Sequence, residues 1–472
     1  MTLTLDRWIR ERARVTPDRT AIVFGERLVT YRELDERSDA RAAALAARGL
    51  ERGDRLATLT GNSPEHVEAF FACAKLGLLL LPLNRRLAAA ELEYQLVDAR
   101  PALLLVEDGL EVPATEVPVE PLAAAPPGAG SPQALVEDGD PLLLIYTSGT
   151  TGRPKGALLT HANCFWTNLS LDLVLGLTGD DVVLQTLPQF HVGGWNVQPL
   201  LAWWRGATVV LERAFEPERV LRLIAERRIT AMMGVPSTYL FLAQQPGFER
   251  ADLSSLRLAV VGGAPMPEAL LETWQSRGVA IVQGYGLTEA APNVLGLAPE
   301  DAVRKAGWAG RPYPYVEARL GEGDELLVRG PNVFAGYWGN SEATAAAFVE
   351  GGWLRTGDVA EQDEEGFFRI RGRLKDMFIS GGENVYPAEI EAVLHEHPAV
   401  ADAAVIGVPD ERWGETGVAF VVGSATEGEL LELCRGRLAG YKVPRSIVFV
   451  EALPRSGSGK VLKEALREGV GA

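Results

Sequence analysis

The stretch PLLLIYTSGTTGRPKG, residues 141–156, places an apolar run directly before a loop rich in glycine and hydroxyl side chains. A short apolar run bounded by turn residues is typical of a buried strand. Backbone N–H groups in a glycine-rich turn can approach oxyanions closely, while hydroxyls add donors and a lysine adds a mobile charge. The stretch therefore predicts a buried strand of an α/β fold that ends in a phosphate-binding loop.

The spacing of this loop differs from that of the common nucleotide-binding loop, G-x-x-x-x-G-K-[ST]. Here the two glycines are too close together, and the lysine is followed by Gly156 rather than by a hydroxyl. A P-loop kinase or motor ATPase is therefore disfavoured. The predicted phosphate contacts are Thr147, Ser148, Gly149, Thr150, Thr151, Gly152 and Lys155.

The residues after this loop, ALLTHANCFWTNL, have a helical pattern. We therefore expect the loop to join a strand to a helix. A flexible hairpin tip without a ligand is the alternative to a phosphate-binding loop, and we disfavour it because hairpin tips rarely carry so many hydrogen-bond donors.

The bulk composition bounds the class of protein. A chain of 472 residues exceeds the usual size of one core, so two or more domains are expected. The net charge of −17 argues against nucleic acid as the main partner. Three distant cysteines fit a reducing compartment, and the charged N-terminus is unlike a signal peptide. The longest apolar run, residues 76–83, is too short for an integral membrane segment, so we expect a cytoplasmic protein.

The domain organisation follows from patterning along the chain. Short β-branched runs alternate with helical patterns, which predicts parallel sheets covered by helices. Near residue 370 the pattern changes, and the predicted order becomes a strand, a charged turn, a strand, a double glycine and a helix. We therefore predict a large N-terminal domain, residues 1–373, and a small C-terminal α+β domain, residues 374–472.

Two further glycine-containing segments follow apolar strands, where α/β sheets commonly bind ligands. They are VVGGAP, residues 260–265, and QGYGLTE, residues 283–289. Tyr285 offers a flat face to a purine, Thr288 a donor to phosphate, and Glu289 a hard oxygen ligand for Mg²⁺. The other candidate nucleotide contacts are Gly262, Gly263, Ala264, Pro265, Gly284 and Gly286.

Two single residues complete the candidate site. Asp358, in WLRTGD, is predicted to lie at a turn and to accept hydrogen bonds from the two ribose hydroxyls. Lys460, in PRSGSGK, stands on a Gly/Ser loop near the C-terminus, which suits a charge that swings in and out. A binding module without catalysis is disfavoured, because binding alone needs no mobile charge.

Taken in order, YTSGTTGRPKG, QGYGLTE, WLRTGD, GRLKDMFISGGENVYPAEIE and PRSGSGK resemble the acyl-adenylate-forming superfamily over essentially the whole chain. The resemblance implies ATP, Mg²⁺ and coenzyme A: a carboxylate attacks the α-phosphorus, pyrophosphate leaves, and the CoA thiol captures the acyl-adenylate. The implied roles are adenine stacking for Tyr285, α-phosphate contact for Thr288, Mg²⁺ binding for Glu289, ribose binding for Asp358 and Arg373, and bridging of carboxylate and α-phosphate for Lys460. Lys375 takes the hinge position of a mobile C-terminal domain, and Gly381 and Gly382 lie in the loop beside the pantetheine path.

The acid is the least determined part of the prediction. In LPQFHVGGW, His191 stands where amino-acid-activating relatives carry an aspartate, which disfavours an amino acid substrate. We place His191 with Thr288, Glu289 and Lys460 among the candidate catalytic residues. GGAPMPEAL and EDAVRKAG favour a medium- or long-chain fatty acid, whereas TEAAPNV resembles aryl-CoA ligases. A luciferase-type relative and a homodimer both stay open.

Overall fold

The computed structural model describes residues 3–124, 134–147, 154–380, 383–410, 413–455 and 460–470. Within them the α-helices, α1 to α14 in chain order, are Asp6–Val15, Tyr31–Ala47, Pro64–Leu76, Ala89–Ala99, His161–Leu175, Gly193–Asn196, Pro199–Arg205, Pro217–Glu226, Pro236–Ala243, Glu268–Ser276, Ser341–Ala346, Pro387–His395, Glu427–Arg437 and Lys463–Val470.

The strands of the first half, β1 to β13, are Thr20–Phe24, Arg27–Thr30, Arg55–Leu59, Leu79–Leu83, Leu103–Val106, Val119–Pro121, Pro141–Thr147, Lys155–Thr160, Val182–Gln185, Thr208–Leu211, Ala231–Gly234, Leu258–Val261 and Ile281–Gly286. Those of the second half, β14 to β26, are Asn293–Gly296, Arg311–Pro312, Glu317–Leu320, Glu325–Arg329, Gly336–Tyr337, Phe348–Val349, Trp353–Gln362, Phe368–Arg373, Phe378–Ser380, Glu383–Val385, Val400–Asp410, Gly414–Gly423 and Ser446–Phe449.

Two large sheets form the body of the N-terminal part. The first has the order β15-β14-β13-β12-β11-β9-β10-β1-β2 and is parallel from β13 to β1. The second has the order β18-β8-β7-β4-β3-β5-β6 and is parallel from β7 to β6. This confirms the predicted α/β class, because the alternating strand and helix patterns in the sequence form parallel sheets.

The largest core includes side chains from both sheets and from the helices around them. Helix α3 lies within this core. The ring of its Phe70 is fully buried and stacks on the ring of Trp195, with 4.6 Å between the two centroids. Ser63 caps this helix by accepting from the backbone N–H of His66, and Pro64 occupies its first position. The helix is covered on nearly every side, and its buried charges are paired: Glu68 with Arg41, and Lys75 with two aspartates of α2.

The chain after residue 377 has apolar clusters of its own. Strands β22 to β26 form a five-stranded sheet, and Ile390 and Leu394 of α12 are fully buried against it with Val405. Pro387 is the first residue of α12, the helix predicted after the double glycine. A third, antiparallel sheet of β16, β17, β19, β20 and β21 leads up to Arg373. The domain boundary at residues 373/374 stays a prediction.

Candidate active site

The predicted phosphate loop lies between two antiparallel strands. Thr147 ends β7, Lys155 begins β8, and the two residues are paired across the sheet. The expectation that a helix follows the loop is wrong: residues 155–160 form β8, and α5 begins only at His161, with Thr160 as its N-cap. Backbone pairing with β7 makes these residues a strand, and Thr160 with Asn163 is the capping signal for the later helix start. Ser148, Gly149, Thr150, Thr151 and Gly152 lie outside the described residues.

The carboxyl ends of β12 and β13 approach each other through glycines. A Cβ atom added at Gly262 would lie 3.2 Å from the carbonyl oxygen of Gly284. One added at Gly286 would clash with the backbone carbonyl of Pro292, whose carbon is 2.7 Å away. Gly263, Ala264 and Pro265 follow in an exposed segment after β12. Because Gly262 and Gly286 are glycines, no side chain of theirs covers the backbone at the edge where parallel sheets commonly bind ligands.

Tyr285, Asp358 and Arg373 meet beside this edge. The Tyr285 phenol donates to Asp358 Oδ2 at 2.6 Å, and Arg373 Nε lies 3.3 Å from Asp358 Oδ1. Burial raises the pKa of the Asp358 carboxyl, and the charge of Arg373 and the hydrogen bond from Tyr285 oppose that rise. The prediction of a turn at Asp358 is wrong, because this residue lies within β20 and is paired with Arg373 of β21. Gly357 suggested the turn and has a positive φ of +69°, but it lies inside the same long strand.

Glu289 lies in the short turn Thr288–Ala290 and faces the phosphate loop. Its Oε1 accepts from the Tyr337 phenol at 2.8 Å and from Thr147 Oγ1 at 3.4 Å. Lys155 Nζ lies 5.3 Å from the centroid of the Tyr337 ring. Thr147, Lys155 and Glu289 were singled out in the sequence, and they come together here. Tyr337 was missed, because it lies on a two-residue strand with no local pattern.

His191 lies beside Phe190, with ring centroids 4.7 Å apart, and Arg86 stands over the Phe190 ring. Burial, followed by the positive charges of Lys460 and Arg86, lowers the pKa of His191 to about 4. Its Nε2 is buried and has no hydrogen-bond partner among the residues that the structure describes. At neutral pH the side chain is therefore uncharged, and it carries no fixed negative charge for an ammonium group.

Lys460 reaches this site from the C-terminal part. Its side chain is exposed at the surface. Partial desolvation and the charges of Arg373 and Lys375 lower its pKa, while Asp358 and Glu289 act in the opposite direction. The ammonium group therefore lies within electrostatic range of the groups that surround the candidate nucleotide site. Lys375 is exposed in the turn Leu374–Asp376, and Gly381 and Gly382 lie outside the described residues.

No group of three or more His, Cys, Asp or Glu side chains that could enclose a metal occurs in the described parts of the chain. Glu289 is a hard oxygen donor, and none of the described residues donates a hydrogen bond to its Oε2. This fits Mg²⁺ bound by one or two carboxylates plus phosphates and water.

The chain is similar to known proteins over nearly its whole length. The model of the AMP-binding enzyme family matches residues 9–338, and that of the AMP-binding enzyme C-terminal domain matches residues 389–460. The chain is 44% identical to a feruloyl-CoA synthase from an Amycolatopsis species over 99% of both chains. It is 42% identical to an indoleacetate–CoA ligase from Aromatoleum aromaticum over 99% of this chain and 98% of that one.

Solved structures give the same result. The o-succinylbenzoate-CoA synthetase of Bacillus subtilis, in complex with its acyl-adenylate intermediate, has a TM-score of 0.90 and 35% identity to this chain, with 98% of both chains covered. The same enzyme has also been solved with ATP and a magnesium ion. None of the described helices is long and apolar enough to cross a membrane. The chain belongs to the AMP-binding enzyme family, and within it to the AMP-forming acid–thiol ligases.

Proposed function

We propose that this protein joins an aromatic carboxylic acid to coenzyme A in two half-reactions. In the first, a carboxylate oxygen of the acid attacks the α-phosphorus of ATP, and pyrophosphate leaves. In the second, the CoA thiol loses its proton and attacks the acyl carbon, and AMP leaves with the electrons of the broken acyl–oxygen bond. The overall products are the acyl-CoA thioester, AMP and pyrophosphate.

The observation that carries this proposal is the position of Lys460. Its charge acts on Asp358, on Glu289 and on His191, which belong to three separate segments of the N-terminal part. A cation at that position can bridge the acid and the α-phosphate. Such a preorganised charge stabilises the negative charge that builds up on the phosphoryl oxygens during attack.

The other site residues have roles that fit their surroundings. The half-buried Tyr285 ring stacks on adenine, while Gly262, Gly284 and Gly286 leave the backbone accessible on the same edge. Asp358 accepts from the ribose hydroxyls, with Arg373 at its side. The residues that contact the phosphates are Thr147, Ser148, Gly149, Thr150, Thr151, Gly152, Lys155 and Thr288. Mg²⁺, held by Glu289, neutralises charge on the phosphates when it is bound.

The choice of an aromatic acid rests on the relatives. Those at 44% and 42% identity are a feruloyl-CoA synthase and an indoleacetate–CoA ligase, and both of these acids carry an aromatic ring. A medium- or long-chain fatty acid is the second candidate, because GGAPMPEAL and EDAVRKAG favour it. The neutral state of His191 argues against a free amino acid in either case.

We also propose that residues 374–472 move as a unit about Lys375. Lys460 must face the α-phosphate in the first half-reaction, whereas CoA must reach the same adenylate in the second. Rotation would replace Lys460 with the loop at Gly381 and Gly382. The position of Lys460 near Asp358 suits the first half-reaction. We place the protein in the cytoplasm and keep a homodimer as its proposed assembly.

A pyrophosphate-release screen tests the function. The purified enzyme, ATP, Mg²⁺ and CoA are combined in turn with cinnamic, arylacetic, benzoic and fatty acids and with free amino acids. We expect AMP, pyrophosphate and a thioester with an aromatic acid, and no exchange with amino acids. ADP as the product would overturn the mechanism, and activity confined to fatty acids would overturn the proposed acid.

A further inference from the structure

Tyr337 is held against the start of strand β8 by its backbone. Tyr337 belongs to the two-residue strand β18 and is paired with Ala157 of β8. The backbone N–H of the next residue, Trp338, donates to the backbone oxygen of Gly156 at 2.7 Å. The N–H of Tyr337 itself donates to Thr344 Oγ1 at 2.9 Å. The position of this tyrosine relative to the phosphate loop is therefore fixed by main-chain contacts, independently of any ligand.

The Tyr337 hydroxyl determines how the Glu289 carboxylate is presented. It donates to Oε1 at 2.8 Å, and Thr147 Oγ1 approaches the same oxygen at 3.4 Å. Within the part of the chain that the structure describes, no group donates to Oε2. One carboxylate oxygen is thus held by the protein, and the other is left for a ligand. A hydrogen bond of this kind orients a metal-binding carboxylate.

The Tyr337 ring contacts the lysine of the phosphate loop. Lys155 Nζ lies 5.3 Å from the ring centroid, within the range of a cation–π interaction. The ring is supported by Phe334, whose centroid lies 4.9 Å away in an edge-to-face arrangement. One residue therefore contacts both the candidate metal ligand and the candidate phosphate-binding cation.

We propose that Tyr337 is a positioning residue for adenylation, which orients Glu289 toward Mg²⁺ and keeps the Lys155 side chain beside the same phosphates. The proposal rests on the proposed function, since that function assigns the metal to Glu289 and the phosphates to Lys155. In this proposal Tyr337 acts through Glu289 and Lys155 and not by contact with ATP or the acid.

The substitution Tyr337→Phe tests the orienting role, because it removes only the hydroxyl. Mn²⁺ replaces Mg²⁺ as a paramagnetic probe, and its binding to the enzyme with a non-reactive ATP analogue is titrated by electron paramagnetic resonance. We expect the dissociation constant of Mn²⁺ to rise about 10-fold or more. Tyr31→Phe is the matched control, because it removes a phenol that donates at 2.6 Å to the backbone oxygen of Ala207. It should bind Mn²⁺ as the wild type does.

The substitution Tyr337→Leu separates the ring from the hydroxyl. It should weaken Mn²⁺ binding as Tyr337→Phe does and should also raise the dissociation constant of the ATP analogue at saturating Mn²⁺, since Lys155 loses its ring contact. Wild-type Mn²⁺ binding in folded Tyr337→Phe, judged by an unchanged melting temperature, would overturn the proposal. Metal binding needs no turnover, so this result is distinct from a wild-type enzyme that activates no acid, which would overturn the proposed function instead.

Discussion

The phenol of Tyr285 donates a 2.6 Å hydrogen bond to Asp358 Oδ2, which joins the end of β13 to the middle of β20. The proposed adenine-stacking residue and the proposed ribose acceptor are thus linked to each other without a ligand. Because Asp358 is also the strand partner of Arg373, the same pair lies next to the proposed hinge. The nucleoside end of the site is therefore preorganised, and Lys460 is the proposed source of the charge that completes it.

Removal of that charge should separate the two half-reactions. In Lys460→Ala, pyrophosphate release should fall on the order of 10²–10³-fold, because no cation stabilises the attacked phosphoryl group. Transfer of a supplied acyl-adenylate to CoA should continue near the wild-type rate. Single-turnover assays of each step check this, and an equal loss in both steps would show that Lys460 has another role.

The adenylation step should also depend on pH at its alkaline end. Lys460 acts when protonated, and its surroundings lower its pKa, so the required charge is present below that pKa and is lost as pH rises through it. The rate of pyrophosphate release should therefore decline at a lower pH than for a free lysine. In Lys460→Arg the decline should move to higher pH, because a guanidinium stays charged above pH 12. The same alkaline limb in both proteins would assign it to another group.

A proline at the proposed hinge should block the second half-reaction. Lys375 lies in the turn Leu374–Asp376, and proline fixes φ near −65° while restricting the residue before it. In Lys375→Pro we expect a first turnover of acid-dependent pyrophosphate release but little thioester. Lys375→Ala removes the same side chain and keeps the backbone free, so it should form thioester normally. Equal thioester rates in the two variants would place the hinge elsewhere.

The end of β13, at Gly286, should not tolerate an added methyl group. In Gly286→Ala the new Cβ meets the backbone carbonyl of Pro292. We expect this overpacking to lower the free energy of unfolding by about 1–3 kcal/mol. Gly436→Ala in helix α13 has open space around its Cβ and should stabilise by about 0.5–1 kcal/mol. Urea denaturation of both variants measures the difference, and an unchanged stability of Gly286→Ala would contradict the contact.

Local patterns in the sequence predicted much of this fold. The alternation of strands and helices, the helix after the double glycine at residues 381–382, and the strands before Gly262 and Gly284 were all predicted from local patterns. The errors are at the pairing of consecutive strands: β8 is a strand because it pairs with β7, and Asp358 is in a strand because it pairs with Arg373. A helical pattern suggested a helix at the first position and Gly357 suggested a turn at the second, and sheet formation overrode both.

The candidate site was predicted in parts but not as a network. Tyr285, Glu289, Asp358 and Lys460 were found because each stands in a short glycine-containing segment. Tyr337 was not, because its contact with Glu289 spans 48 residues and leaves no spacing to detect. Residue type alone did not separate it from the other tyrosines.

The pairing of Thr147 with Lys155 has a practical consequence for engineering. Both ends of the loop are anchored by neighbouring strands of one sheet, so the distance between them does not depend on the residues that connect them. Loops of equal length from related ligases can therefore be grafted between these two anchors as interchangeable cassettes. The contacts to the ATP phosphates could then be varied in this enzyme without redesign of its core.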